Sequence, residues 1–210
     1  MRKKDELAID KIMECAKQEF LEKGFEGSSM RDIAEKAGYT TGMLYGRFAD
    51  KSELFKALVE SSAEKLYDYY TDARENFETL SPDKQFLGMR GYEESRAKEI
   101  IAILYDNFEE FKLIICKSKG SEYEKYADRL IAVETERTVR FIEALRDAGI
   151  KVKEVRADLS HMLSTAMLNG MFEVIEHDFT KEEAMQYIGQ LHCFFNAGWN
   201  SLLGLSSENR

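Results

Sequence analysis

The chain has 210 residues, 44% apolar and 33% charged. Such a composition supports a packed core and excludes wholesale disorder. No apolar run approaches the ~20 residues a membrane span needs. The net charge of -9 excludes a generally basic nucleic-acid binder. It is uneven, however: residues 1–60 carry 11 Lys/Arg against 12 Asp/Glu, and the other 150 carry 19 against 27.

Proline is the informative count. At ~5% usage about ten would be expected, and only Pro82 is present. Proline breaks helix interiors, so its scarcity predicts an all-α fold of about nine helices. The start, MRKKDELAID, has no apolar h-region and does not read as a secretory signal. Cys15, Cys116 and Cys193 are odd in number and far apart, which suits reduced thiols and a cytoplasmic location.

Residues 5–23 have apolar positions at helical spacing, and Gly24 is a stop. Ser29 to Asp32 resembles a capping box that opens a short helix ending at Ala37, where Gly38 turns the chain. Thr40 can cap a third helix through Phe48. Asp50 to Glu53 is another capping box, starting a helix that reaches about Leu80. Ser81-Pro82 starts the next helix, predicted to run to about Tyr105. Further helices are expected over 108–116, 121–148, 158–177 and 180–202, the last opened by Thr180 to Glu183.

Two short helices around a glycine within 29–48 form a helix-turn-helix layout. The second helix must present its first residues outward to reach base edges. The residues Ile12, Ala16, Phe20, Gly24-Phe25, Ser29-Met-Arg-Asp-Ile-Ala34, Ala37-Gly38, Gly42, Leu44-Tyr45, Phe48, Lys51 and Glu53-Leu54-Phe55 resemble the TetR family of bacterial transcriptional regulators. The resemblance implies an amino-terminal DNA-binding domain over 1–50 and an effector-binding and dimerisation domain over 51–210. It implies a homodimer, double-stranded DNA as partner, and a repressor released from a palindromic operator by a small effector.

Tyr45 and Lys51 take the places of the family's phosphate-contacting residues. Thr40, Thr41, Gly42, Met43 and Arg47 take places at the base or the sugar–phosphate edge. Arg47 has an alternative as half of a surface ion pair. Many members have a lysine at the place of Thr41 and a His or Tyr at that of Gly46. These departures, with the acidic body, motivate an alternative: a protein-interaction adaptor on the same fold.

For the effector site the candidates are Tyr105, Glu134, Thr138, His161, Thr165 and Asn169, polar positions on or beside apolar stripes. Glu134 could meet a cationic ligand, or pair internally with Arg96 or Arg137, and the effector is expected to be apolar or cationic. The expected dimer residues are Leu163, Met167, Gly170, Met171, Phe195, Trp199 and Leu202. His161, His177 and His192 have no metal-ligand spacing, and no catalytic motif or cofactor signature occurs. An enzyme, a metal and a cofactor are therefore not expected.

Overall fold

The computed structural model describes residues 2–78 and 97–205, with side chains over 7–71 and 97–205. Among them there are nine helices and no strand. These are α1 (Arg2–Gly27), α2 (Met30–Ala37), α3 (Thr41–Tyr45), α4 (Lys51–Glu78), α5 (97–106), α6 (Phe108–Cys116), α7 (Tyr126–Asp147), α8 (Ala157–Glu176) and α9 (Lys181–Leu203). The expected Ser81-Pro82 helix start and the Arg96 partner lie outside the described residues. Among the described residues no helix is long and apolar enough to cross a membrane.

The chain forms two compact units. One holds residues 1–64 and 107–126, the other 65–106 and 127–210. The first unit thus extends past the residue-50 boundary expected from sequence. The reason is packing: Leu54, Phe55 and Val59 of α4 are fully buried. Phe55 meets Phe20 and Phe25 edge-on, at ring-centroid distances of 5.0 and 5.3 Å. Such pairs add ~0.5–1.5 kcal/mol each beyond area burial. Tyr126 closes the same core, its hydroxyl donating to the Ala63 carbonyl at 2.7 Å.

The helix stops follow local chemistry. α1 breaks at Gly24, where φ is 72° and ψ 170°, and makes one more turn to Gly27. α7 begins at Tyr126 rather than near 121. The residues before it are spent in turns, with Ser121 N–H donating to Ser118 O and Tyr126 N–H to Tyr123 O.

In the second unit α8 packs on α9. Ser160, Ser164, Leu168, Met171, Phe172, Val174 and Ile175 of α8 are buried, as are Ala184, Ile188, His192 and Leu203 of α9. Thr180 and Glu183 complete the expected capping box.

Candidate functional site

The helix-turn-helix is assembled by caps and an ion cluster around one buried carboxylate. Ser29 Oγ accepts from Asp32 N–H at 3.1 Å and starts α2. Gly38 sits in the left-handed region at φ 76° and returns its N–H to the end of α2. A Cβ there would be strained. Thr40 Oγ1 accepts from Met43 N–H at 3.3 Å and starts α3. Met30, Ile33, Ala34, Ala37 and Leu44 are buried beneath the turn.

Glu19 of α1 is fully buried, with Lys23 and Lys36 at 2.6 and 2.7 Å. Burial raises its pKa, but the two ammonium groups outweigh this and hold the carboxyl below the usual range. Lys36 comes from α2, so the pair fixes the crossing of α1 and α2. Asp32, 3.1 Å from Lys23, extends the cluster.

Away from that core, Tyr45 is 53% exposed. Thr40, Gly42 and Arg47 are exposed, and Thr41 and Met43 half-buried. Arg47 has no ion-pair partner among the described residues. The outward side of α3 and the residues flanking it is therefore a phenol, hydroxyls and a guanidinium over an apolar underside, and such groups can bind phosphate and base edges. Lys11 was not singled out from the sequence. Its Nζ lies 3.8 Å from where a Gly38 Cβ would sit.

Lys51 departs from its expected place. Its ammonium donates to the carbonyls of Phe25 at 2.6 Å and Ser28 at 2.9 Å, reaches Glu26 O at 3.5 Å, and lies 4.4 Å from the Phe25 ring centroid. The end of α1 leaves carbonyls without helical partners, and a cation is their natural cap. The start of α4 is capped likewise by its own carboxylates. Asp50 accepts from Glu53 N–H at 2.9 Å, and Glu53 accepts from Ala49 N–H. In this structure the Lys51 ammonium is thus engaged by the fold of the first unit.

The second unit contains an open cavity. Its polar lining is Glu134, Arg137, Thr138, Ser164 and Asn196. Its apolar lining is Phe141, Ile142, Met167, Phe195, Trp199 and Leu203. Of the six effector candidates, Glu134 and Thr138 line it. Glu134 Oε2 and Arg137 NH1 are 3.3 Å apart, both side chains nearly buried, so an internal ion pair with Arg137 is present. Thr138 Oγ1 donates to the Glu134 carbonyl at 3.0 Å.

The other four candidates are elsewhere. Tyr105 donates its hydroxyl to Phe179 O at 2.7 Å, which ties α5 to the α8–α9 loop. Burial and the carboxylates of Glu183 and Asp178 raise the pKa of this phenol. His161 and Asn169 are exposed, and Thr165 returns its hydroxyl to His161 O at 2.9 Å.

The same geometry gives most of the expected dimer residues neighbours within their own chain. Met171 is buried within the unit. A Cβ on Gly170 would come 3.1 Å from Leu191 Cδ2 of the same chain. Met167, Phe195 and Trp199 line the cavity. Leu163 is half-buried, and only Leu202 is exposed. The outward faces carry other residues: Leu159, Met162 (66% exposed) and Ala166 on α8, and Met185, Gly189, Cys193, Phe194 (72% exposed) and Ala197 on α9.

Among the described residues no group of His, Cys, Asp and Glu could hold a metal. Residues 12–58 match the family described as bacterial regulatory proteins, tetR family. Over 71 residues the chain is 38% identical to the probable HTH-type transcriptional regulator ArpR of Pseudomonas putida, covering 34% of this chain and 33% of that one. Over 78 residues it is 32% identical to the HTH-type transcriptional repressor KstR2 of Mycobacterium tuberculosis, covering 37% and 38%. These matches span about a third of each relative's length. The fold as a whole is similar to the crystal structure of a transcriptional regulator from Aquifex aeolicus, with a TM-score of 0.58 and 17% identity over 89% of this chain and 99% of that one. Residues 12–58, the helix-turn-helix, are thus similar to the DNA-binding region of the TetR family of bacterial regulatory proteins.

Proposed function

We propose that this protein is a homodimeric transcriptional repressor that leaves a palindromic operator when a small molecule fills the cavity of its second unit. The observation that carries the reading is the division of α3. Leu44 is fully buried and holds the helix, while Tyr45 and Arg47 face outward beside Thr40. Tyr45 would contact phosphate, and Thr40, Thr41, Met43 and Arg47 would meet sugar or base edges, with Gly42 giving close approach. A two-fold dimer would place two such helices on half-sites about one helical turn, ~34 Å, apart or a multiple of it.

The dimer contact in this reading is the outward face of α8 and α9, centred on Met162 and Phe194. Two helices from each copy then bury these side chains as a four-helix bundle. α4 would carry the signal, since it runs unbroken through residue 64 of the first unit into residue 65 of the second. KstR2, named a repressor, supports the choice of repression through its similar amino-terminal region.

The test is binding of the full chain to a labelled duplex of its own upstream region across a salt series. Binding that weakens linearly in log–log form with salt is expected. Failure to bind any genomic fragment at low salt would overturn the reading.

A further inference from the structure

We infer that Lys11 of α1 contacts a DNA phosphate beside the start of α3 and supplies the charge expected of Lys51. The inference rests on the DNA-binding reading above and deepens it by adding a residue from outside the helix-turn-helix.

Lys11 is held against the turn between α2 and α3. Ala8, Ile12 and Ala16, spaced four residues apart on α1, are buried and anchor this stretch of the helix. Lys11 is exposed at the edge of that packed face. Its Nζ lies 3.8 Å from where a Cβ on Gly38 would sit. Gly38 and Thr40 are exposed as well, so the ammonium stands on the surface from which α3 starts.

Among the described residues nothing uses this charge. The last carbonyls of α2 already have backbone donors: Gly38 N–H reaches Ala34 O and Glu35 O, and Tyr39 N–H donates to Ala34 O at 2.9 Å. Lys11 is therefore not needed as a cap there, whereas the end of α1 engages Lys51. Lys17, Lys23, Lys36, Lys56 and Lys119 of the same unit have carboxylate partners at 2.6–3.3 Å. Lys11 has neither an ion pair nor a hydrogen bond among the described residues. Such an ammonium can take a phosphate without giving up a contact of the fold.

The docking geometry says which part of DNA it meets. In a helix-turn-helix the second helix lies in the major groove and the first crosses the backbone, so the turn between them passes the phosphates at the groove's rim. α3 runs from Thr41 to Tyr45, and at ~1.5 Å per residue the chain advances ~7–8 Å from Thr40 to Tyr45. Lys11 over the turn and the exposed phenol of Tyr45 are thus donors at the two ends of α3, placed to reach different phosphates. Two such contacts fix the orientation of α3 without reading sequence.

The test compares the full chain with Lys11→Ala, Lys11→Arg and Lys125→Ala. Lys125 is an exposed lysine of the same unit, also without an ion pair among the described residues. Each protein is titrated onto a labelled duplex of the upstream region and onto a scrambled duplex of equal length, across a salt series. Lys11→Ala should make the log–log salt slope shallower by ~0.9 for each half-site bound, which at 0.1 M salt is ~eightfold weaker binding per half-site. The loss should be equal on both duplexes, because a phosphate contact carries no sequence information. The urea midpoint of Lys11→Ala should match the parent's, since no contact of the fold is removed. Lys11→Arg should keep affinity and slope, and Lys125→Ala should keep the slope. A parental slope in Lys11→Ala, a loss confined to the upstream duplex, an equal loss in Lys11→Arg, or the same change in Lys125→Ala overturns the inference and leaves DNA binding by the parent standing. A parent that binds neither duplex sinks the DNA-binding reading and this inference with it.

Discussion

Replacing Lys51 by methionine separates two roles for one residue. Methionine keeps much of the apolar stem against Phe25 and removes the ammonium. What is lost is two short charge-assisted hydrogen bonds, at 2.6 and 2.9 Å, and a cation–π contact at 4.4 Å. Hydrogen bonds to charged groups contribute ~1.5–3 kcal/mol each, and the ring contact ~0.5–1 kcal/mol. Lys51 is half-buried, so water recovers part of this. The expected loss is about 2–3 kcal/mol. With a urea slope of ~1–3 kcal/mol/M, the unfolding midpoint should fall by roughly 1 M. Circular dichroism in urea measures it, and a salt series on operator DNA is run beside it. The structural role leaves the log–log salt slope as it was. An unchanged midpoint, with a slope shallower by about one, would refute the argument and return Lys51 to a phosphate.

Glu19 makes a pH prediction. Its folded pKa lies below its ordinary value, so its stabilisation is complete above pH ~4.5 and is lost as pH falls through the folded value. Glu19→Gln should cost ~1–3 kcal/mol at pH 7 and flatten the acid limb of a stability–pH curve, while Glu19→Leu should be near neutral at pH 7. A steep acid limb surviving in both variants would assign it to other groups. Tyr45→Phe should leave the urea midpoint unchanged and weaken DNA binding equally for matched and mismatched duplexes; full affinity in the variant would remove the phenol from the interface. Phe194→Asp should convert the dimer to a 24.3 kDa monomer in sedimentation without a loss of helicity, and a dimer persisting at micromolar concentration would place the contact elsewhere.

The helix-turn-helix was legible because its signals are local. Ser29, Gly38, Thr40 and Asp50 act on backbone groups within a few residues, and each cap is found where the sequence puts it. Lys51 was not legible in this way. The carbonyls it caps are 23 to 26 residues away in the chain, brought to it by the packing of Phe20, Phe25 and Phe55. The same holds for Glu19. Beside Phe20 on a helical stripe it gives no local hint that Lys36, 17 residues on, will share its burial.

For α8 and α9 the sequence shows apolar residues on more than one side of each helix, and periodicity alone cannot say which side meets what. Two demands compete for these helices. One face must close the unit's own core and cavity, and a second face is left for a partner. Gly170 reads from sequence as a place where a partner helix could approach, yet it admits Leu191 of the same chain. Phe195 and Trp199 read as an interface stripe, yet they turn to the cavity. The outward side is instead mixed, with Met162 and Phe194 set among Ala166, Gly189, Cys193 and Ala197. A face that is solvated before assembly cannot be uniformly apolar without risking aggregation. Small side chains around two large anchors satisfy both conditions: they let another helix come close, and they leave only isolated apolar groups exposed until it does.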